Sequence, residues 1–100
     1  MRSVDDRFER FRSTTASALL NGPGATPAEL RQAIASGDPP EELNDLAQKI
    51  RSRACTVTDQ DLDALRSRYT EDQLFEIIVA AAFGAANERL AAARRALEEA

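Results

Sequence analysis

The sequence predicts an all-α protein of about five helices, with the longest helix at the C-terminus. Every segment carries apolar residues three or four positions apart, and none alternates as a half-buried strand would. Capping boxes and Gly-Pro turns separate these segments. Residues 74–86 form a wide apolar surface that only Glu76 interrupts. A helix of this kind must be buried, either against its own domain or against a second copy.

The 100 residues are enough for one domain that folds alone. We expect residues 1–25 to form an N-terminal helix and a Gly-Pro linker, and residues 26–100 to form the helical core. Hydrophobic residues make up 43% of the chain but aromatic residues only 5%, since alanine supplies much of the apolar content. Alanine buries little area, so the core is modest and association would stabilise it.

The charge balance and the cysteine count limit the classes of partner. A net charge of −4 argues against nucleic-acid binding, because such proteins present basic surfaces. The single cysteine excludes an internal disulfide and fits a reducing cytoplasm. The charged N-terminus does not resemble a signal peptide, and the apolar run at 74–86 is too short to span a bilayer. The sequence therefore predicts a cytoplasmic protein with no membrane partner and no cofactor.

The first two helices are predicted before residue 37, and the second of them is short. The first carries an apolar stripe and ends at Asn21-Gly22-Pro23-Gly24; the stripe comprises Val4, Phe8, Phe11, Thr15 and Leu19. The second begins at Thr26-Pro27-Ala28-Glu29, which matches a capping box with proline at the first helical position. Its inward residues are predicted to be Leu30, Ala33 and Ile34, and Gly37 is predicted to end it.

The third and fourth helices are predicted to begin near Pro40 and at Thr58. Thr58 has the side chain of an N-cap, and Asp59 and Asp61 suit the first turn of the helix that follows. The predicted buried residues are Leu43, Leu46, Ala47, Ile50 and Ala54 in the third helix, and Leu62 and Leu65 in the fourth. The acidic residues 59, 61 and 63 resemble part of a calcium loop, but the turn glycine and the distal glutamate are missing. A helix N-terminus is the favoured interpretation.

The box Thr70-Glu71-Asp72-Gln73 is predicted to start the fifth helix, which runs to the C-terminus. Ala80 and Gly84 are four apart and small, so another helix can approach them closely. A glycine inside a helix costs about 1 kcal/mol relative to alanine, and close packing explains its presence. We assign an interface to one face of this helix, formed by Leu74, Ile78, Ala81, Gly84 and Ala85.

From about Thr26 to the end, the chain resembles the AhpD-like, or carboxymuconolactone decarboxylase, superfamily. The likeness lies in the Pro-led helix, residues 43–53, the opening Val57-Thr58-Asp59, the turn at Tyr69 and the helix over residues 70–89. The resemblance implies an all-helical, oligomeric fold. It also implies thiol-dependent peroxidase or decarboxylase chemistry.

The residues that carry this chemistry in the superfamily are mostly missing. The peroxidase branch has Cys-x-x-Cys followed by a histidine; here Cys55 stands near the first cysteine, and Thr58 replaces the second. Leu62 or Asp61 takes the place of the histidine, and the chain contains no histidine at all. Peroxide chemistry thus lacks its resolving thiol and its proton relay. Cys55 is either a catalytic thiol activated by Arg51 and Arg53, or a small buried hydrophobe.

Glu76 is the candidate binding residue of the long helix, because it interrupts the apolar run. It has two interpretations: it lies on a solvated face, or it is buried and paired with Arg89 or Arg66. With Asp59 and Arg89 it forms the candidate binding group. No set of metal ligands is recognisable.

The sequence favours a non-catalytic helical subunit that self-associates, or that pairs with a related catalytic chain. One alternative is an enzyme that acts through Cys55, or through carboxylates on a small acid or lactone. Another alternative is a module that binds a small molecule between its helices.

Overall fold

The computed structural model describes residues 17–53 and 56–99, and every regular element in these ranges is helical. The predicted all-α fold with a long C-terminal helix is therefore confirmed. The elements are α1 (described over residues 17–21), α2 (Ala28–Ala35), a 3-10 turn (Glu41–Leu43), α3 (Asn44–Arg53), α4 (Asp59–Asp63) and α5 (Glu71–Glu99). The stripe positions Val4, Phe8, Phe11 and Thr15 lie outside the described residues, as do Ala54 and Cys55.

Helix α2 begins differently from the prediction but ends as predicted. Pro27, not Thr26, is the N-cap, and no side chain caps the helix, so the capping box predicted at Thr26 was wrong. At the other end Gly37 has a φ of +89°, a conformation that glycine adopts without strain. Its N–H donates to Ile34 O, and the N–H of Asp38 donates to Ala33 O. This pair of bonds closes the helix as a Schellman motif.

The predicted caps of α4 and α5 are confirmed. The Thr58 hydroxyl accepts a hydrogen bond from Asp61 N, and the Asp61 carboxylate accepts one from Thr58 N at 2.9 Å. At α5, Gln73 N donates to Thr70 Oγ1 at 3.1 Å, and Thr70 N donates to Gln73 Oε1 at 2.9 Å. Both are reciprocal capping boxes that satisfy N–H groups left free at a helix start.

The core lies where α2 and α3 pack on one face of α5. Ile34, Leu43 and Ile77 are its most deeply buried large side chains. The remaining buried apolar residues of this cluster are Leu46, Ile50, Leu65, Leu74, Ala80 and Ala81. Leu30, Val57, Leu62, Tyr69 and Ile78 pack around them and are partly buried. Of the predicted inward positions of these elements, Ile34, Leu43, Leu46 and Ile50 are core residues and Leu30 packs against them. Ala33 and Ala47 are partly buried outside this cluster.

At Gly84, α5 approaches the backbone of α2 closely. A Cβ atom at this position would lie 2.8 Å from the Ala35 Cα and closer still to the Ala35 carbonyl oxygen. Backbone atoms cannot move aside as a flexible side chain can. The close helix packing predicted at Gly84 is confirmed, and its partner is α2 of the same chain. Ala80 is buried.

Candidate functional site

The carboxylate of Glu76 on α5 binds the loop that precedes α2. Its Oε1 accepts hydrogen bonds from Thr26 Oγ1 at 2.6 Å and from Thr26 N at 3.0 Å. Its Oε2 accepts one from Ala25 N at 2.6 Å. Gln73, one turn earlier, donates its side-chain amide to Ala25 O at 3.2 Å. The loop at residues 25–26 is thereby fastened to α5 by four hydrogen bonds.

Arg31 completes this polar cluster from α2. It is buried, and its guanidinium donates to Leu19 O at 2.6 Å, to Gly22 O, and to Thr26 O at 3.5 Å. Its Nε lies 3.9 Å from Glu76 Oε1 and makes no hydrogen bond, the one buried side-chain polar atom so left among the described residues. We call Ala25, Thr26, Arg31 and Glu76 the Glu76 clamp. The clamp ties the end of α1, the linker and α2 to α5.

The clamp favours the ionised form of Glu76. The Thr26 hydroxyl contributes most to lowering the pKa of this carboxyl below its ordinary value of 4.5. The Ala25 N–H adds to this effect, partial burial opposes it, and the Thr26 N–H and Arg31 lower the pKa further. Glu76 is therefore negatively charged at neutral pH and is an acceptor in the clamp, not a proton donor.

The interpretation of Glu76 as a paired and partly buried residue is the one that the structure supports, but with a different arginine. Arg66 binds Glu71 and Asp63, and Arg89 donates to the carbonyl oxygen of Arg51. The arginine beside Glu76 is instead Arg31. The sequence contains one indication that Arg31 faces inward. It lies three residues before the core residue Ile34 and therefore shares its face of α2.

The three residues of the candidate binding group, Glu76, Asp59 and Arg89, are not joined to one another by hydrogen bonds or ion pairs between described residues. Asp59 lies in the first turn of α4. Arg89 and Arg51 belong instead to the junction of α3 and α5, where Arg51 also binds Glu88 at 2.9 Å. These exposed groups fix the end of α3 against the middle of α5.

The acidic residues of α4 are paired with cations of the chain. Lys49 of α3 binds both oxygens of Asp61, at 2.8 and 2.9 Å, and Asp63 pairs with Arg66. The Lys49 ammonium and the Thr58 N–H lower the pKa of Asp61. Within residues 17–53 and 56–99 no group of three potential ligands could hold a metal ion. The structure thus uses these carboxylates to cap and anchor α4.

The surface that we assigned to an interface is mostly core of the same chain. Leu74, Ala81, Gly84 and Ala85 are buried by the chain itself, and Ile78 is partly buried. Of the two possibilities for the apolar run, burial against its own domain is the one observed.

A different side of α5 carries apolar residues that face solvent. Phe75, Leu90 and Leu97 are 68%, 42% and 77% exposed, and they are the large hydrophobic residues that are exposed in the described ranges. All three lie on one side of the helix. We call this surface the outer stripe; its exposed members are Phe75, Ala82, Ala86, Leu90, Ala93 and Leu97.

Two clefts lie beside these features. One, of about 190 Å³, lies next to the clamp, where Leu19, Pro23, Phe75 and Val79 are among its lining residues. The other, of about 250 Å³, lies between α3 and the loop that follows α2, with Gly37, Pro39 and Asn44 among its lining residues. Pockets for drug-sized ligands are commonly about 300–1,000 Å³ and largely enclosed. The polar groups of the first cleft, Arg31 and Glu76, are already engaged with the protein.

Comparison of the chain with family models, with curated proteins and with solved structures found no match. In the described part of the chain, no helix combines the length and the apolar character that crossing a membrane requires.

Proposed function

We propose that this protein is a non-catalytic helical subunit, which self-associates or assembles with a related chain. The observation that carries the proposal is the exposure of Leu90 and Leu97 on the long C-terminal helix. Large apolar side chains in a row on one helix face are typical of an interaction surface. A charged or polar residue there would be expected if this part of α5 faced only water.

The extent of α5 supports the same proposal. The helix has 29 residues and is roughly 43 Å long. Its buried residues end at Ala85, and the contacts with α3 reach Glu88 and Arg89. The last ten residues continue past this junction and carry two of the three exposed large side chains. A helix extended beyond its own core suits a role in assembly.

The state of the charged groups supports a structural role over a catalytic one. Hydrogen bonds within the chain lower the pKa values of three carboxyl groups, those of Glu42, Asp61 and Glu76. Carboxyl groups that act as general acids near neutral pH have raised pKa values. The chain also has no histidine to serve as a proton relay. The proposal places the protein in the cytoplasm, because a single cysteine suits a reducing compartment.

The experiment is native mass spectrometry of the protein isolated gently from its own cells. The proposal expects a particle of two or more copies, or one with a related chain in fixed ratio. A single chain that carries the added mass of a small molecule would contradict the proposal and favour a binding module. Peroxide consumption that disappears in Cys55→Ser would contradict it in favour of an enzyme.

A further inference from the structure

We propose that the cleft between α3 and the loop after α2 binds a small organic acid, and that Arg51 holds the carboxylate of this ligand. The inference goes beyond the proposed function and does not depend on it, because the residues that line the cleft belong to α3 and to the loop. It follows from the donors of Arg51, from the polar side chains beside it, and from the size of the cleft.

Arg51 carries donors that its ion pair does not use. Its Nη1 binds both carboxylate oxygens of Glu88 at 2.9 Å. Its Nε and Nη2, which share one edge of the planar group, make no hydrogen bond to another described residue. Arg51 lines the cleft, and its side chain is 41% exposed, so a ligand can reach this edge. Two adjacent N–H groups suit a carboxylate, because its two oxygens can accept from both.

The guanidinium of Arg51 is held from two sides. Glu88 binds it from α5, and Gly37 lies against it from the loop. A Cβ atom at residue 37 would be 3.0 Å from Nη2 and 3.4 Å from Nη1. The guanidinium can therefore lie close to the backbone of the loop because glycine has no side chain. A cation that is already fixed in this way loses less conformational entropy when a ligand binds.

Other side chains of the cleft can bind the remainder of the ligand. Asn44 and Gln48 lie one helical turn apart on the same face of α3 as Arg51. Their side-chain amides make no hydrogen bond to another described residue. Each amide offers donors and an acceptor, so the pair can bind a hydroxyl or amide group of the ligand. Pro39 and Ala47 provide apolar contact for its carbon atoms.

The size and the charge of the cleft limit the class of ligand. Its volume of about 250 Å³ is below the range of about 300–1,000 Å³ that is common for drug-sized molecules. It suits a compound of about the size of an amino acid. Glu88 already balances the charge of Arg51, so a dianion such as phosphate would be repelled more strongly than a single carboxylate.

The first test is an NMR titration of the ¹⁵N-labelled full chain with N-acetylglycine, which carries one carboxylate and one amide. We expect saturable shifts at the Gly37 amide, at the side-chain amides of Asn44 and Gln48, and at the Arg51 Nε–H. The Kd should be about 1–10 mM, because a partly exposed ion pair contributes little. N-acetylglycinamide lacks the carboxylate and should bind roughly tenfold more weakly. Equal binding of the two compounds, or tighter binding of inorganic phosphate, would overturn the carboxylate site.

The second test uses variants of α3 in the same titration. Arg51→Gln should weaken the binding of N-acetylglycine roughly tenfold, and Gln48→Ala about threefold. Arg53→Gln is the matched control, because it removes an exposed arginine of the same helix that does not line the cleft. Circular dichroism verifies that each variant is folded, and Gln48→Ala keeps the test decisive if Arg51→Gln disturbs the contact with Glu88.

The results of the variants separate a site from a general attraction of anions to α3. Weaker binding in Arg51→Gln and Gln48→Ala, with Arg53→Gln unchanged, would support the inference. An equal loss in Arg51→Gln and Arg53→Gln, or an unchanged Kd in Gln48→Ala, would overturn it.

Discussion

The hydroxyl group of Thr26 donates a 2.6 Å hydrogen bond to Glu76 Oε1, across fifty positions of the chain. The same oxygen accepts the backbone N–H of Thr26 at 3.0 Å. Gly24 lies against this carboxylate too, because a Cβ atom there would be 2.6 Å from Oε1. Thr26 is buried, so the start of α2 is fixed to α5 by a polar contact that water does not readily replace.

Thr26→Val should lower the free energy of unfolding by about 1–2 kcal/mol. The substitution keeps the shape of the side chain but removes its hydroxyl, which leaves the Glu76 carboxylate short of one donor. Thr26→Ser retains the hydroxyl and should lose less. Urea denaturation followed by circular dichroism measures both values, and equal stability of Thr26→Val and the wild type would contradict the clamp.

The stability conferred by Glu76 should depend on pH. Its pKa in the folded state is below 4.5, so this contribution is complete above the unfolded pKa and is lost as the pH falls through the folded value. Glu76→Gln should therefore be less stable than the wild type at pH 7, with the difference shrinking below about pH 4.5. Asp61 and Glu42 titrate in both proteins and largely cancel in the comparison.

Exposed Glu29 on α2 provides the matched control for this pH series. Glu29→Gln should change stability little at any pH, because surface substitutions are usually within about 0.5 kcal/mol. The clamp is disproved if the stabilities of Glu76→Gln and Glu29→Gln depend on pH in the same way.

Gly84→Ala should destabilise the protein by about 1–3 kcal/mol, although alanine favours helix formation. The new Cβ would overlap the Ala35 backbone on α2. Gly84→Leu should cost at least as much, while Ala92→Leu on an exposed part of the same helix should be nearly neutral. Thermal unfolding monitors all three, and a stabilised Gly84→Ala would mean that α2 and α5 are further apart than the structure places them.

Arg31→Lys should release the linker before α2. A lysine ammonium lacks the planar array of donors that reaches the carbonyl oxygens of Leu19, Gly22 and Thr26. We expect faster hydrogen exchange at residues 22–26, with exposed Arg53→Lys as the control. Unchanged protection of the Thr26 amide in Arg31→Lys would show that Glu76 alone holds the loop.

The sequence predicted those features that depend on local contacts. The capping residues Thr58 and Thr70 and the stop at Gly37 act within a few residues, so their patterns indicated the starts of α4 and α5 and the end of α2. Thr26 shows the limit of this reasoning. Its motif matches a capping box, but the hydroxyl makes a stronger, charge-assisted bond to a carboxylate fifty residues away.

The site was predicted less well because partners distant in sequence are not readable from spacing. Glu76 was singled out correctly as unusual, yet its arginine could be chosen only once α2 was placed against α5. The face of α5 that packs inward was likewise ambiguous. Leu74 and Ala81 looked suited to another copy, and only the packing of α2 and α3 assigns them to the core.

Sedimentation velocity of the purified full chain, from low micromolar to millimolar concentration, tests the central claim most directly. Self-association predicts that the mean particle mass rises from that of one chain to at least two, and that Leu97→Asp shifts this rise to higher concentration. A particle with the mass of a single chain throughout the range, with wild type and Leu97→Asp indistinguishable, would contradict self-association.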